Sequence, residues 1–186
     1  GPPGAGKGTQ ADFIVNKYNL YQLSTGELLR NEIKNKTSLG DEISAIINSG
    51  SLVSDDIVKK LVEKFISGKE YKNRLIFDGY PRNLNQAETL KNMLSKYEQK
   101  IDLVLKLSVS LETIKKRISE RQTLENRADD SEEIAIKRFQ TYEKNIKPLI
   151  NFYKKIDLLK EVNGEGSIAQ INGEISRLID GMEGWL

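Results

Sequence analysis

The sequence predicts an α/β fold built on a parallel sheet. Two compact apolar runs, residues 74–78 (RLIFD) and 102–108 (DLVLKLS), have the length and composition of buried strands. Helix-period stretches lie before, between and after them in alternation. A glycine-rich segment at the start, GPPGAGKGT, runs directly into the first helical pattern.

Each element has a local reason. Residues 6–18 read as a helix with Ala11, Ile14, Val15 and Tyr18 on one side, and residues 21–23 as a short strand. Residues 25–35 and 39–48 read as two short helices, the second stopped by Gly50. Ser54, Asp55 and Asp56 cap a helix reaching about residue 67. Residues 85–97 form the helix between the two clear strands, and residues 110–120 follow the second strand as another. Asp130, Ser131, Glu132 and Glu133 have capping-box character and open a long helix containing Pro148. Residues 158–162 read as the last strand and 167–180 as the last helix. There is no internal repeat and no low-complexity linker.

Composition narrows the chemistry. The 186 residues suit one domain with small inserted lobes. Lys plus Arg is 29 and Asp plus Glu is 27, a net charge of +2 with the signs interspersed. That balance gives no nucleic-acid stripe and no membrane-binding face. No apolar run approaches the ~20 residues of a membrane span, and GPPGAGKGTQ lacks the apolar core of a signal peptide. The chain has no Cys and no His, which excludes disulfides, thiolate zinc sites, Cys nucleophiles and His bases. Lys, Arg, carboxylates, backbone amides and a recruited metal remain. Phosphoryl transfer suits that inventory, because it depends on positioning and charge stabilisation.

The start carries the spacing of a phosphate loop. Glycines let backbone N–H groups wrap an anion, and the helix that follows points its positive end at it. Lys7 would reach the β- and γ-phosphates. The general pattern places Ser or Thr directly after the Lys; here Gly8 intervenes and Thr9 follows. A phosphate loop ordinarily follows a buried strand, and none precedes Gly1 in this sequence. The expectation is that roughly half a dozen apolar residues, a typical strand, precede Gly1 in the natural protein.

Arginine usage points the same way. The chain has 21 Lys and only 8 Arg: Arg30, Arg74, Arg82, Arg117, Arg121, Arg127, Arg138 and Arg177. A Lys-rich sequence spends Arg where a planar, bidentate fork is needed, as two phosphate chains require. Arg117 and Arg121 lie four apart on one helix face.

Three further segments complete the pattern: STGELLR at residues 24–30, FDGYPR at 77–82 followed by Gln86, and RADD at 127–130 followed by Arg138. With the GPPGAGKGTQ start they resemble the adenylate kinase family, over residues 1 to about 171. The Gly-Lys-Gly-Thr form of the loop is typical of that family.

The resemblance implies a five-stranded parallel sheet with helices on both faces, the P-loop NTPase fold. Residues 1–23, 54–117 and 131–186 would form the core, 24–53 a helical lobe closing over AMP, and 118–130 a short lid over ATP. Gly4, Ala5, Gly6, Lys7, Gly8, Thr9, Arg117 and Arg121 would bind ATP, with Gly166 making a backbone contact to its adenine. Thr25, Arg30, Ser51, Leu52, Val53, Gly79, Tyr80, Pro81, Arg82 and Gln86 would bind AMP, joined by Arg127 and Arg138. Lys7, Arg82, Arg117, Arg127 and Arg138 would spread the transition-state charge. Mg²⁺ would arrive with ATP and face Thr9 and Asp78, the latter through water. Only residues 122–126 separate Arg121 from Arg127, too short for a zinc-bearing lid, so no zinc is expected. The family further implies a cytoplasmic monomer handling ATP, AMP and ADP.

Pyrimidine monophosphate kinases are the near rivals, resembling the chain at the loop and at DGYPR. They typically carry Ala in place of Thr25 and Asn in place of Gln86. A Gln amide offers the adenine edge both a donor and an acceptor, so Thr25 and Gln86 favour AMP. A phosphate-loop ATP-binding module without transfer would need the loop but not the AMP motifs.

Overall fold

The computed structural model describes residues 1–125 and 131–182. It is α/β with parallel strands. β1 (Tyr21–Ser24) pairs parallel with β2 (Leu75–Asp78), Tyr21 opposite Leu75 through Ser24 opposite Asp78. β3 (Val104–Ser108) pairs parallel with β4 (Leu159–Asn163), Val104 opposite Leu159 through Ser108 opposite Asn163. Among the described residues the four expected strands therefore form two two-stranded sheets.

Parallel pairs need long crossovers, and helices supply them. α1 (Lys7–Tyr18) precedes β1; α2 (Thr25–Lys34), α3 (Ser38–Asn48) and α4 (Asp55–Ile66) lead from β1 to β2. α5 (Leu84–Lys96) joins β2 to β3, and α6 (Leu111–Glu125) and α7 (Glu132–Lys155) precede β4. α8 (Ile168–Asp180) closes the described elements, and a 3-10 turn (Lys69–Tyr71) precedes β2.

Strand side chains alternate between two apolar layers, as a pleated strand requires. Ile76 of β2 and Leu105 and Leu107 of β3 pack with Ile14 of α1 and Ile171, Ile175 and Ile179 of α8. Leu75 and Phe77 turn the other way, against Val62 of α4 and Leu90 of α5. Val104 of β3 and Leu159 of β4 pack with Leu149 and Tyr153 of α7. Helices thus cover both faces, and the α1–α8 layer spans both sheets.

The α2–α3 hairpin leans on the same core: Leu29 and Ile43 are buried with Leu23 of β1 and Val58 of α4. The two helices approach closely because α3 presents Gly40 to α2. A Cβ there would lie 2.2 Å from Glu32 O.

Of the two caps expected from the sequence, the one at Ser131 is made and the one at Ser54 is not. Ser24 accepts from Glu27 N–H, Thr37 from Gly40 N–H and Ser131 from Ile134 N–H. Two details differ. Ser54 precedes α4 but makes no side-chain cap, leaving Asp55 and Asp56 to complement the helix end by charge. Ile134 stands at the third position of α7, so Ser131 caps without a reciprocal Glu. The reciprocal capping box is on α8, between Ser167 and Gln170. α7 continues through Pro148. α6 runs on to Glu125, through residues 118–125 of the expected lid, because no Gly or Pro interrupts it. Among the described residues no helix is long and apolar enough to cross a membrane.

Candidate active site

The glycine-rich segment ends in two left-handed residues, Gly4 (φ 80°) and Gly6 (φ 91°). Any other residue would be strained there, and a Cβ on Gly4 would also come within 3.0 Å of Ile118. Gly6 is the N-cap of α1 and offers no side-chain cap. The N–H groups of Lys7, Gly8 and Thr9 consequently have no protein acceptor among the described residues. Gly8 and Thr9 are exposed, and the space beside Gly8 is open. Unpaired donors at the positive end of a helix make an anion site.

Lys7 is folded back on the loop. Its Nζ donates to Gly1 O at 3.0 Å and to Pro2 O at 2.9 Å. Burial pulls its pKa down from 10.5 to about 7, helped by the positive charges of Arg82, Arg138 and Arg121; Asp78 opposes the shift. Four segments far apart in sequence therefore bring cations to one place: the loop, the turn after β2, α6 and α7.

Neighbours steer Arg82, Arg117 and Arg138. Arg82 Nε donates to Gly79 O at 2.7 Å, and Gly79 has the left-handed φ of 69° that turns the chain at the end of β2. Arg30 and Arg82 both reach over the first turn of α2: a Cβ on Gly26 would lie 3.2 Å from Arg30 Nη1 and 3.5 Å from Arg82 Nη2. Arg138 lays its stem on Gly50, with Cγ 3.0 Å from the position of a Cβ. Arg117 is a brace. Its Nη1 donates to Ala5 O at 3.3 Å and its Nη2 to Gly164 O at 2.8 Å, tying the loop to the turn after β4. Gly166 lies in that turn, beside Gln170. Arg127 lies outside the described residues.

A cavity of about 390 Å³ opens next to this cluster. Lys7, Thr25, Arg30, Ser51, Leu52, Val53, Asp78, Gly79, Tyr80, Pro81, Arg82, Gln86 and Arg138, all expected from the sequence, line it. Gly4, Ala5, Gly6, Gly8, Thr9, Arg117, Arg121 and Gly166 do not; they belong to the loop rim and its supports. Thr25 is buried and its Oγ1 donates to Gly79 O at 3.4 Å, joining α2 to the end of β2. The Tyr80–Pro81 peptide is cis. Tyr80 is buried, and burial followed by the charge of Asp55 pushes its phenol up to about 12. Gln86 is buried too; its Oε1 accepts from Arg82 N–H and its Nε2 donates to Asp55 Oδ1, each at 2.8 Å.

Two site residues escape a sequence reading. Asp55 reads as an ordinary first-turn acid, and its contacts come from residues 28 to 31 positions away. Gln10 is only 4% exposed, lines the cavity, and its Oε1 has no hydrogen-bond partner. The available signal was its place four residues before Ile14 on the apolar side of α1.

For a metal, Asp78 ends β2, lines the cavity and accepts from Gln22 Nε2 at 3.1 Å with Oδ2. Its Oδ1 has no protein donor among the described residues, and Thr9 is exposed on the first turn of α1. No group of three or more His, Cys, Asp or Glu that could hold a metal occurs among the described residues. That set fits a Mg²⁺ carried by phosphates, which keeps several waters and needs one or two protein oxygens.

The comparisons with known proteins agree with this geometry. The family model described as adenylate kinase matches residues 1–158. An adenylate kinase of Pelagibacter ubique is 42% identical, covering 96% of this chain and 96% of its own length. One of Leptospira biflexa is 41% identical with the same coverage, and one of Porphyromonas gingivalis 39% identical over 97% of this chain and 93% of its own length. The chain belongs to the adenylate kinase family.

Proposed function

We propose that this chain catalyses the reversible transfer of the ATP γ-phosphoryl group to AMP, giving two ADP and so balancing the adenine nucleotides. The observation that carries the reading is the gathering of Lys7, Arg82, Arg121 and Arg138 at the end of the phosphate loop, beside a cavity walled by Thr25 and Gln86. Like charges held together in a half-closed site are stabilised by anions, and two phosphate chains supply them.

No protein nucleophile is needed. An AMP phosphate oxygen bonds to the γ-phosphorus as the bond from that phosphorus to the β–γ bridging oxygen breaks, and ADP leaves from each side. The loop amides and Lys7 would hold the ATP phosphates, with Arg117 keeping the loop in register through Ala5. Arg30, Arg82 and Arg138 would hold the AMP phosphate, and Arg82, Arg117, Arg127 and Arg138 would spread the developing charge. Thr25, Ser51, Leu52, Val53 and Gln86 would hold the AMP base and sugar. Mg²⁺ bound by ATP would neutralise phosphate charge, held by Thr9 and, through water, by Asp78. Water must be shut out, or ATP would be hydrolysed. Closure of residues 24–53 and 118–130 over the core would do this, as lid closure does in adenylate kinases generally.

The same reading joins the two sheets into one of five parallel strands, the fifth lying between β2 and β3. Its support is physical: among the described residues each of these strands has a partner on one side only, and the cavity is lined by Leu75–Asp78, by residues 103–107 and by the buried Gln10. Protection of β2 and β3 amides from hydrogen exchange is the expected result; exchange at open-edge rates would oppose it.

A panel of monophosphates tests the acceptor. With MgATP, AMP should be phosphorylated faster than CMP or UMP. Faster turnover of either pyrimidine would defeat the assignment.

A further inference from the structure

Asp55 opens α4, and Gln86 lies in the first turn of α5. Gln86 Nε2 donates to Asp55 Oδ1, while Gln86 Oε1 accepts from Arg82 N–H, both at 2.8 Å. A carboxylate only accepts and a backbone N–H only donates. Together they fix which end of the amide is which. A 180° flip would set N–H against N–H and oxygen against carboxylate, in a side chain too buried for water to compensate.

Asp55 is itself held from three sides. Asn83 Nδ2 donates to its Oδ1 at 3.1 Å and Asn85 Nδ2 to its Oδ2 at 2.5 Å, beside the Gln86 contact. Asn83 Oδ1 in turn caps α5 by accepting from Gln86 N–H at 2.8 Å. Burial pushes the Asp55 carboxyl up, but the donors Asn85, Asn83 and Gln86 outweigh it and hold the pKa below the ordinary value. Asp55 is therefore an anion at neutral pH and acts as an acceptor only.

With one N–H and one lone pair committed, the Gln86 amide keeps one donor and one acceptor for a ligand. Adenine offers an amino N–H next to a ring-nitrogen acceptor. Hypoxanthine has the same outline but carries a carbonyl oxygen in place of the amino group. A buried amide of fixed orientation pairs with the first and leaves groups unpaired with the second.

We propose that Asp55 is the positioning residue for base selectivity: by locking the Gln86 amide, it makes the acceptor site take a 6-aminopurine monophosphate and reject a 6-oxopurine one. This rests on Gln86 facing the acceptor base, as proposed above. A first-turn Asp could also serve the helix end by charge alone. Asp56 provides the control, since it stands in the same turn, is exposed, and makes no hydrogen bond to α5.

The experiment measures kcat/KM for AMP and for inosine monophosphate, with MgATP, in the parent protein and in Asp55→Asn, Asp55→Ala, Asp56→Asn and Gln86→Ala. The AMP preference should fall at least about tenfold in Asp55→Ala, the scale of one lost hydrogen bond to a charged group, and less in Asp55→Asn, whose amide oxygen still offers Gln86 Nε2 an acceptor. The loss should appear in the monophosphate KM, with the KM for ATP unchanged, while Asp56→Asn keeps the parent ratio. A folded Asp55→Ala variant within about twofold of the parent ratio would overturn the proposal, and so would an equal fall in Asp56→Asn. Should Asp55→Ala not fold, exchange of the Gln86 side-chain amide in the parent decides. In the ¹⁵N-labelled parent, the Gln86 side-chain amide protons should resist exchange; rapid averaging of the pair would also count against the lock. Gln86→Ala separates the two levels. If it keeps the parent AMP preference, Gln86 does not face the base, and the acceptor-site reading falls along with the proposal.

Discussion

Binding of ATP should draw a proton from solvent onto Lys7. In the ligand-free protein its pKa is about 7, because burial and then the charge of Arg82 disfavour the ammonium, with Arg138 and Arg121 adding to them against Asp78. At pH 8.5 only about 3% of such a group is protonated. The negative phosphates of ATP offset the arginines and return the group towards 10.5, where about 99% is protonated at that pH. Binding should therefore take up about one proton at pH 8.5 and only about 0.1 at pH 6, where both states are charged. Calorimetric titration in buffers of different ionisation enthalpy reads that number directly, as the slope of observed enthalpy against buffer enthalpy. At pH 8.5 the phosphates themselves are fully ionised, so Lys7 dominates. Lys7→Met should abolish the slope. A slope near zero in the parent protein, or one unchanged in Lys7→Met, would refute the electrostatic picture of the site. The same shift has a consequence for folding. The folded pKa lies below the unfolded one, so the unfolded chain holds more protons between about pH 7 and 10.5. Lys7 therefore makes the ligand-free protein more stable as pH rises through that window.

Two further predictions concern the site's supports. Arg82→Ala removes a cation anchored by Gly79 O, and should lower turnover by roughly 10²–10³-fold with an unchanged far-ultraviolet circular dichroism spectrum; near-normal turnover would remove Arg82 from the site. Gly40→Ala places a Cβ 2.2 Å from Glu32 O and 2.8 Å from Ile33 N, backbone atoms that cannot swing aside. It should cost about 1–3 kcal/mol or more in thermal unfolding. It should also raise the KM for AMP more than that for ATP, because α2 carries Thr25 and Arg30.

Local chemistry made most of the fold legible. RLIFD and DLVLKLS are apolar enough to be nothing but strands, and β2 and β3 lie within them. The loop was legible because Gly4 and Gly6 need conformations that only glycine adopts cheaply. The arginine cluster was legible by thrift, since a chain with 21 Lys does not use Arg casually. What stayed hidden depends on distance in space. Asp55 meets Gln86 only because α4 and α5 pack side by side, and no residue near Asp55 in sequence announces it. The end of α6 lies beyond the expected helix of residues 110–120: residues 119–123 are polar, yet all are compatible with a helix already nucleated by the buried Ile114 and Ile118.

The most direct test of two nucleotides meeting in one site is steady-state inhibition by a compound of two adenosines joined through five phosphates. It should compete with both ATP and AMP, each with the same inhibition constant. Competition with ATP alone, leaving the KM for AMP untouched, would contradict the account.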